Sequence, residues 1–344
     1  MAKSSTKTLP FIFGINGTKL REAEKTLFSK YQIHGFILFR RNIEATEQLT
    51  LLISELKELY PDRGVPIFVD QEGGRVARIK WPIIEKKEGY PSAQYFGDLY
   101  DSKGKEIAIS ETYKNYFELA SDLARLGING TFAPVCDIRY AGADNVIGDR
   151  SFGETPDKVI ALAGAAIEGI KGAGRFYCMK HIPGNGRGMV DPHFALPLVD
   201  TPIRELEATD FRVFQELSKL HPDAWAMTAH IIYTALDGAA PVTISKPAID
   251  YIRNTIGFKG TLVTDAIEMK ALHTHLKKQK QVDKQRNLEI GEKIDYEQSQ
   301  DDKALFIKNL CEVADLSLKA GCDLVLHCTG DIDEMTALCD SMYS

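Results

Sequence analysis

Alternation constrains this chain more than anything else in it. Short, β-rich apolar runs recur along the whole length, separated by segments of helical period. The runs lie at 11–15, 34–39, 65–70, 130–136, 177–179, 224–229, 260–264 and 324–328. Amphipathic segments lie between them at 18–30, 45–60, 105–126, 155–171, 201–220 and 247–256, with a closing helix from Glu334. Thr155 reads as the N-cap of one of these helices and Pro156 as its first residue. Parallel strands need a crossover, usually a helix, so eight such units predict an α/β fold, a (β/α)8 TIM-type barrel. A doubly wound sheet is the alternative. No Pro/Gly linker or shift in composition divides residues 1–344, so a single domain is expected. One stretch breaks the pattern. Residues from about 277–303 are dense in Lys, Gln, Asp and Glu, and read as a charged insertion between the seventh and eighth strands.

In such a barrel the active site forms at the C-terminal ends of the strands. Polar residues terminate successive runs there: Asp70, Asp137, Lys180 with His181, His230, and Asp265. This many at one kind of position implies a ring of functional groups around one mouth. The fifth run delivers the densest of them, Lys180-His181-Ile182-Pro183-Gly184-Asn185-Gly186-Arg187-Gly188-Met189-Val190-Asp191-Pro192-His193. Three glycines and Pro183 rule out a stable helix or central strand, and a loop fixed at a strand end is where chemistry usually sits. Asp191 is two residues from His193, close enough for its carboxylate to reach the ring, fix the tautomer and raise the basicity of the other nitrogen.

Asp265 at a strand end reads as a nucleophile, a base, a metal ligand or a helix cap. A carboxylate nucleophile opposite a proton donor is the minimal set for retaining glycoside cleavage, with His193 in the donor role that a second carboxylic acid usually fills. Asp70, Arg78, Arg150, Lys180 and His181 supply what a sugar needs otherwise, acceptors and donors for adjacent hydroxyls. Arg75 reads instead as a loop brace pairing with Glu72, Asp149 or Glu154, and His230 as a supporting, core-edge histidine.

The net charge of −6 and the scatter of basic residues argue against a nucleic-acid partner. Six cysteines without a CxxC pair read as buried, reduced thiols. The N-terminal residues hold no signal-peptide core and no spanning segment, so no membrane partner is expected and the expected compartment is the cytoplasm.

Four segments together resemble glycoside hydrolase family 3. They are Phe68-Val69-Asp70-Gln71-Glu72-Gly73-Gly74-Arg75-Val76-Ala77-Arg78, Val146-Ile147-Gly148-Asp149-Arg150-Ser151-Phe152-Gly153, the Lys180–His193 loop, and Val263-Thr264-Asp265-Ala266-Ile267-Glu268-Met269. The nearest likeness is to the family's single-domain bacterial β-N-acetylhexosaminidases of peptidoglycan recycling. The resemblance implies that Asp265 is the nucleophile and His193 the general acid/base, paired with Asp191. It implies that Asp70, Arg78, Arg150, Lys180 and His181 bind a non-reducing N-acetylglucosamine. The implied substrates are muropeptide fragments carrying that sugar in β linkage, with no metal or organic cofactor; a monomer is expected. The chain departs from the family at Asn185 and Arg187, where Pro-Gly-His-Gly-Asp is common, at Pro192, where serine is usual, and in the insertion. Rival readings are a metal-dependent hydrolase using His181, His193, His230 and Asp265, a family 3 β-glycosidase of other sugar specificity, and a sugar-binding protein without activity. Against the first, Phe13-Gly14-Ile15-Asn16 holds no His-x-His.

Overall fold

The computed structural model describes residues 7–189, 196–270, 272–277 and 302–343. Eight strands form one parallel sheet: β1 (Leu9–Gly14), β2 (Ile33–Leu38), β3 (Ile67–Val69), β4 (Gly130–Thr131), β5 (Phe176–Ile182), β6 (Trp225–Thr228), β7 (Thr261–Val263) and β8 (Val325–His327). Their spatial order is β7-β6-β5-β4-β3-β2-β1-β8. A parallel bridge between Val263 and Leu324 joins the two ends, and the Thr264 N–H donates to the Leu324 carbonyl at 3.0 Å. The sheet is therefore the expected barrel and not the doubly wound alternative.

The strands read as nearly unbroken apolar runs because both of their faces are covered. One layer inside the barrel takes a side chain from every strand position in turn: Ile12, Ile37, Phe68, Phe132, Cys178, Met227, Val263 and Leu326. Phe68 stacks on Phe132 with ring centroids 5.0 Å apart. The fourth run, expected as a strand over 130–136, keeps a regular ladder only over Gly130–Thr131. Pro134 has no N–H to give. Pairing continues irregularly, with Cys136 N–H donating to the Lys180 carbonyl at 2.6 Å, and this brings Asp137 alongside the end of β5.

Helices cover the outside: α1 (Glu22–Lys30), α2 (Thr46–Glu58), α3 (Ala93–Lys103), α4 (Lys105–Arg125), α5 (Pro156–Gly172), α6 (Ile203–Ala208), α7 (Asp210–Leu220), α8 (Lys246–Tyr251), α9 (Asp302–Ala320) and α10 (Ile332–Ser341). α5 starts at Pro156 as its sequence implies, although the Thr155 side chain makes no capping bond. The polar stretch before α4 holds α3, which burial of Ala93 and Phe96 against the core accounts for. The helix expected over 201–220 is two helices, broken at Thr209, whose ψ of −97° is not helical. Of the charged insertion, 278–301 lies outside the described residues. No helix among the described residues is long and apolar enough to cross a membrane.

Candidate active site

The C-terminal ends of the strands enclose a cavity of about 750 Å³. Asp70, Arg78, Arg150, Lys180, His181 and Asp265 all line it, although they come from four separate parts of the chain. Asp70 follows β3 and Lys180 and His181 belong to β5, while Arg150 ends a short 3-10 turn, Gly148–Arg150. Arg78 follows a small hairpin that pairs Gln71 with Ala77. Asp191 and His193 fall outside the described residues.

One wall is a lattice of alternating charge. Glu72 grips the Arg150 guanidinium with both oxygens, at 2.8 and 2.9 Å, and accepts from Lys180 Nζ at 2.6 Å. Lys180 also reaches Asp70 at 3.1 Å, and Asp70 accepts from Arg78 at 3.3 Å. Lys180 and Glu72 are almost fully buried, at 2% and 5% exposure, so neither charge is carried by water. Burial alone would push the Glu72 carboxyl up, but Arg150 and Lys180 hold it well below the usual carboxylate range. Burial likewise opposes the Lys180 charge, yet Asp70 and Glu72 outweigh it and raise that amine. Glu72 and Lys180 therefore stay ionised, and by formal charge the wall sets two carboxylates against three cations.

His181 is aimed by Asp137. The buried carboxylate sits 2.7 Å from the His181 Nδ1 and also accepts the backbone N–H groups of His181, at 3.2 Å, and Asn185, at 2.8 Å. The carboxylate fixes the orientation of the His181 ring through Nδ1. The glycine loop is pressed onto the same support. A Cβ on Gly186 would stand 1.7 Å from the Ile138 carbonyl oxygen, so only glycine fits there. Arg187, the charge-inverted position, is neutralised by Asp210 at 2.7 Å and Glu205 at 2.9 Å, over the Tyr140 ring. Asp210 is buried at the break between α6 and α7.

The opposite wall differs. Asp265 follows β7 and its Oδ1 accepts the adjacent Ala266 N–H at 2.8 Å. A turn comes next, with Met269 N–H on the Ala266 carbonyl, so the carboxylate is not spent on capping a helix. Burial pushes the Asp265 carboxyl up, but His230, His181, the Ala266 N–H and Lys180 together hold it below its ordinary value. It is an ionised, half-buried carboxylate facing the cavity. His230 stands behind it, with Nδ1 2.7 Å from Thr243 Oγ1 and Nε2 3.0 Å from the Ala266 carbonyl, the supporting place its sequence suggested. Arg75 braces the loop before Arg150 through Asp149 at 2.7 Å and the carbonyls of Asn145 and Val146, also as expected. Among the described residues no group of three His, Cys, Asp or Glu is arranged to hold a metal.

Glu72 and Glu268 escaped the sequence reading, and Asp137 was placed at the mouth without its part in holding His181. Glu72 was seen only as a candidate loop partner for arginine, and Asp137 only as a strand-end carboxylate. Their position just past the third and fourth apolar runs was the available signal. Glu268 lines the cavity near Asp265, and its Oε1 accepts the Cys328 N–H at 3.0 Å. Burial raises its carboxyl above the ordinary range.

Residues 6–343 match the family described as "Glycosyl hydrolase family 3 N terminal domain". The chain is 33% identical over 320 residues to a β-hexosaminidase of Neisseria gonorrhoeae, covering 93% of this chain and 78% of that one. It is 30% identical over 319 residues to a β-hexosaminidase of Psychromonas ingrahamii, covering 93% and 82%. Among solved structures it superimposes on NagZ from Neisseria gonorrhoeae in complex with N-trifluoroacetyl-D-glucosamine with a TM-score of 0.80, at 31% identity over 97% of this chain and 85% of that one.

Proposed function

The chain belongs to glycoside hydrolase family 3, and from that premise we propose that this β-N-acetylhexosaminidase removes terminal, non-reducing β-linked N-acetylglucosamine from peptidoglycan-derived muropeptides, with retention of configuration. One observation carries the mechanism: Asp265 is held ionised at the end of β7, across a single cavity from the charge lattice centred on Glu72. An Asp265 oxygen attacks the anomeric carbon, and the bond to the leaving oxygen breaks as His193 protonates it. His193 then takes a proton from water, and the resulting hydroxide attacks the same carbon and frees Asp265. Two inversions give net retention. Asp191 orients the His193 ring and stabilises its protonated form.

Asp70, Arg78, Arg150, Lys180 and His181 bind the sugar. Each of these side chains except that of His181 is already held through Glu72 or Asp70, and His181 is held by Asp137, so little ordering remains to oppose binding. All six cysteines are unpaired, which suits a reducing compartment, and the reading places the enzyme in the cytoplasm as a monomer acting on soluble fragments. Hydrolysis of a chromogenic aryl β-N-acetylglucosaminide tests the activity. NMR of the first-formed sugar anomer tests the stereochemistry, and an α-anomer as first product would contradict the double displacement.

A further inference from the structure

The cavity wall contains a polar side chain that the charge lattice leaves out. Asn185 is 5% exposed and lines the cavity. Its backbone is already employed: the N–H donates to Asp137 at 2.8 Å and the carbonyl accepts the Gly188 N–H at 3.3 Å. Its neighbours are pinned as well, Gly186 against the Ile138 backbone and the Gly184 carbonyl by the Tyr233 hydroxyl at 3.0 Å. Residue 185 is thus held in place without help from its side chain. The carboxamide oxygen, Oδ1, is buried and has no hydrogen-bond partner among the described residues. A buried acceptor without a donor is costly, and such a group in a binding cavity is explained when the ligand brings the donor.

We propose that Asn185 Oδ1 accepts the N–H of the substrate's 2-acetamido group and so sets the preference for an N-acetylated sugar. This deepens, and rests on, the reading of the cavity as a site for N-acetylglucosamine. The chemistry separates the sugar's donors. Hydroxyls both donate and accept, and suit the charged residues Asp70, Lys180 and Arg150. An amide N–H only donates, and needs an acceptor. A neutral carbonyl oxygen supplies one without placing a further negative charge in the cavity that must keep Asp265 ionised. Because the loop already fixes Asn185, no side-chain partner has to be broken when the sugar binds.

The test compares the native chain, Asn185→Ala and Asn185→Asp, using an aryl β-N-acetylglucosaminide as substrate and N-acetylglucosamine and glucose as competitive inhibitors. Native turnover stands or falls separately: no hydrolysis would end the functional reading itself. With an active native chain, Asn185→Ala is expected to weaken inhibition by N-acetylglucosamine about tenfold, the scale of one hydrogen bond, and to leave inhibition by glucose unchanged. Asn185→Asp keeps an acceptor at the same place and is expected to restore most of the preference. Thermal melting of Asn185→Ala should be no lower than that of the native chain, since Oδ1 bonds nothing among the described residues. An equal loss for both sugars, or a loss for neither, would overturn the assignment. So would an Asn185→Asp variant no better than Asn185→Ala at telling the two sugars apart.

Discussion

The two walls of the cavity are built on opposite principles. On the β3–β5 side every charge has a close partner: Glu72 holds Arg150 and Lys180, and Asp70 holds Lys180 and Arg78. On the β7–β8 side Asp265 forms no ion pair among the described residues and is bonded through its neighbour's N–H. A paired charge is a rigid recognition element. A carboxylate held ionised by more distant positive charge keeps its lone pairs for a reacting carbon. The difference teaches where each kind of substitution should act, on binding and stability at one wall and on the rate at the other.

The largest effect is expected at the Asp265 wall. Asp265→Ala is expected to lower kcat by roughly a hundred-thousandfold, the scale of removing a covalent nucleophile, while N-acetylglucosamine still binds. Steady-state kinetics with calorimetric binding checks both halves. Next comes the paired wall. Glu72→Ala removes the carboxylate that Arg150 grips and the nearer of the two that hold the buried Lys180, and should cost about 3–5 kcal/mol of stability in urea unfolding. Loss of the same magnitude for Asp265→Ala would erase the contrast.

Acid should also separate the walls. The Glu72 carboxyl is depressed in the folded chain, so the stability it contributes is present above its unfolded pKa of about 4.3 and is lost as pH falls toward its folded value. Native stability should therefore fall more steeply below about pH 4 than that of Glu72→Gln, as followed by denaturation across pH. Asp265 is also depressed, which puts the acid limb of kcat/KM below about pH 4. A smaller effect is expected at the rim. Arg78→Ala loses one ion pair to a half-buried carboxylate and a contact over the Phe39 ring, and should raise KM about tenfold with kcat little changed.

Much of this was legible in the sequence. A strand covered on both faces must be apolar throughout, so the eight runs stand out, and the polar residues that end five of them mark the mouth. Pairing was harder to see. Glu72 and Arg150 are 78 residues apart, and nothing local to either says that they meet. The break at Thr209 is hidden because the apolar period continues across it, and what fixes it is tertiary, the buried Asp210 turned toward Arg187. α3 was hidden for the reverse reason, since its polar exposed face dilutes the few buried positions that dock it. Asn185 was legible as a departure from the family, but its unpartnered oxygen belongs to the folded structure alone.

Covalent trapping bears most directly on the central claim. A slow 2-acetamido-2-deoxy-5-fluoroglucosyl substrate should leave the sugar bonded to the chain, and peptide mass mapping should place it on Asp265. A label on any other residue, or turnover that proceeds with no covalent adduct in the native chain and survives in Asp265→Ala, would contradict the account.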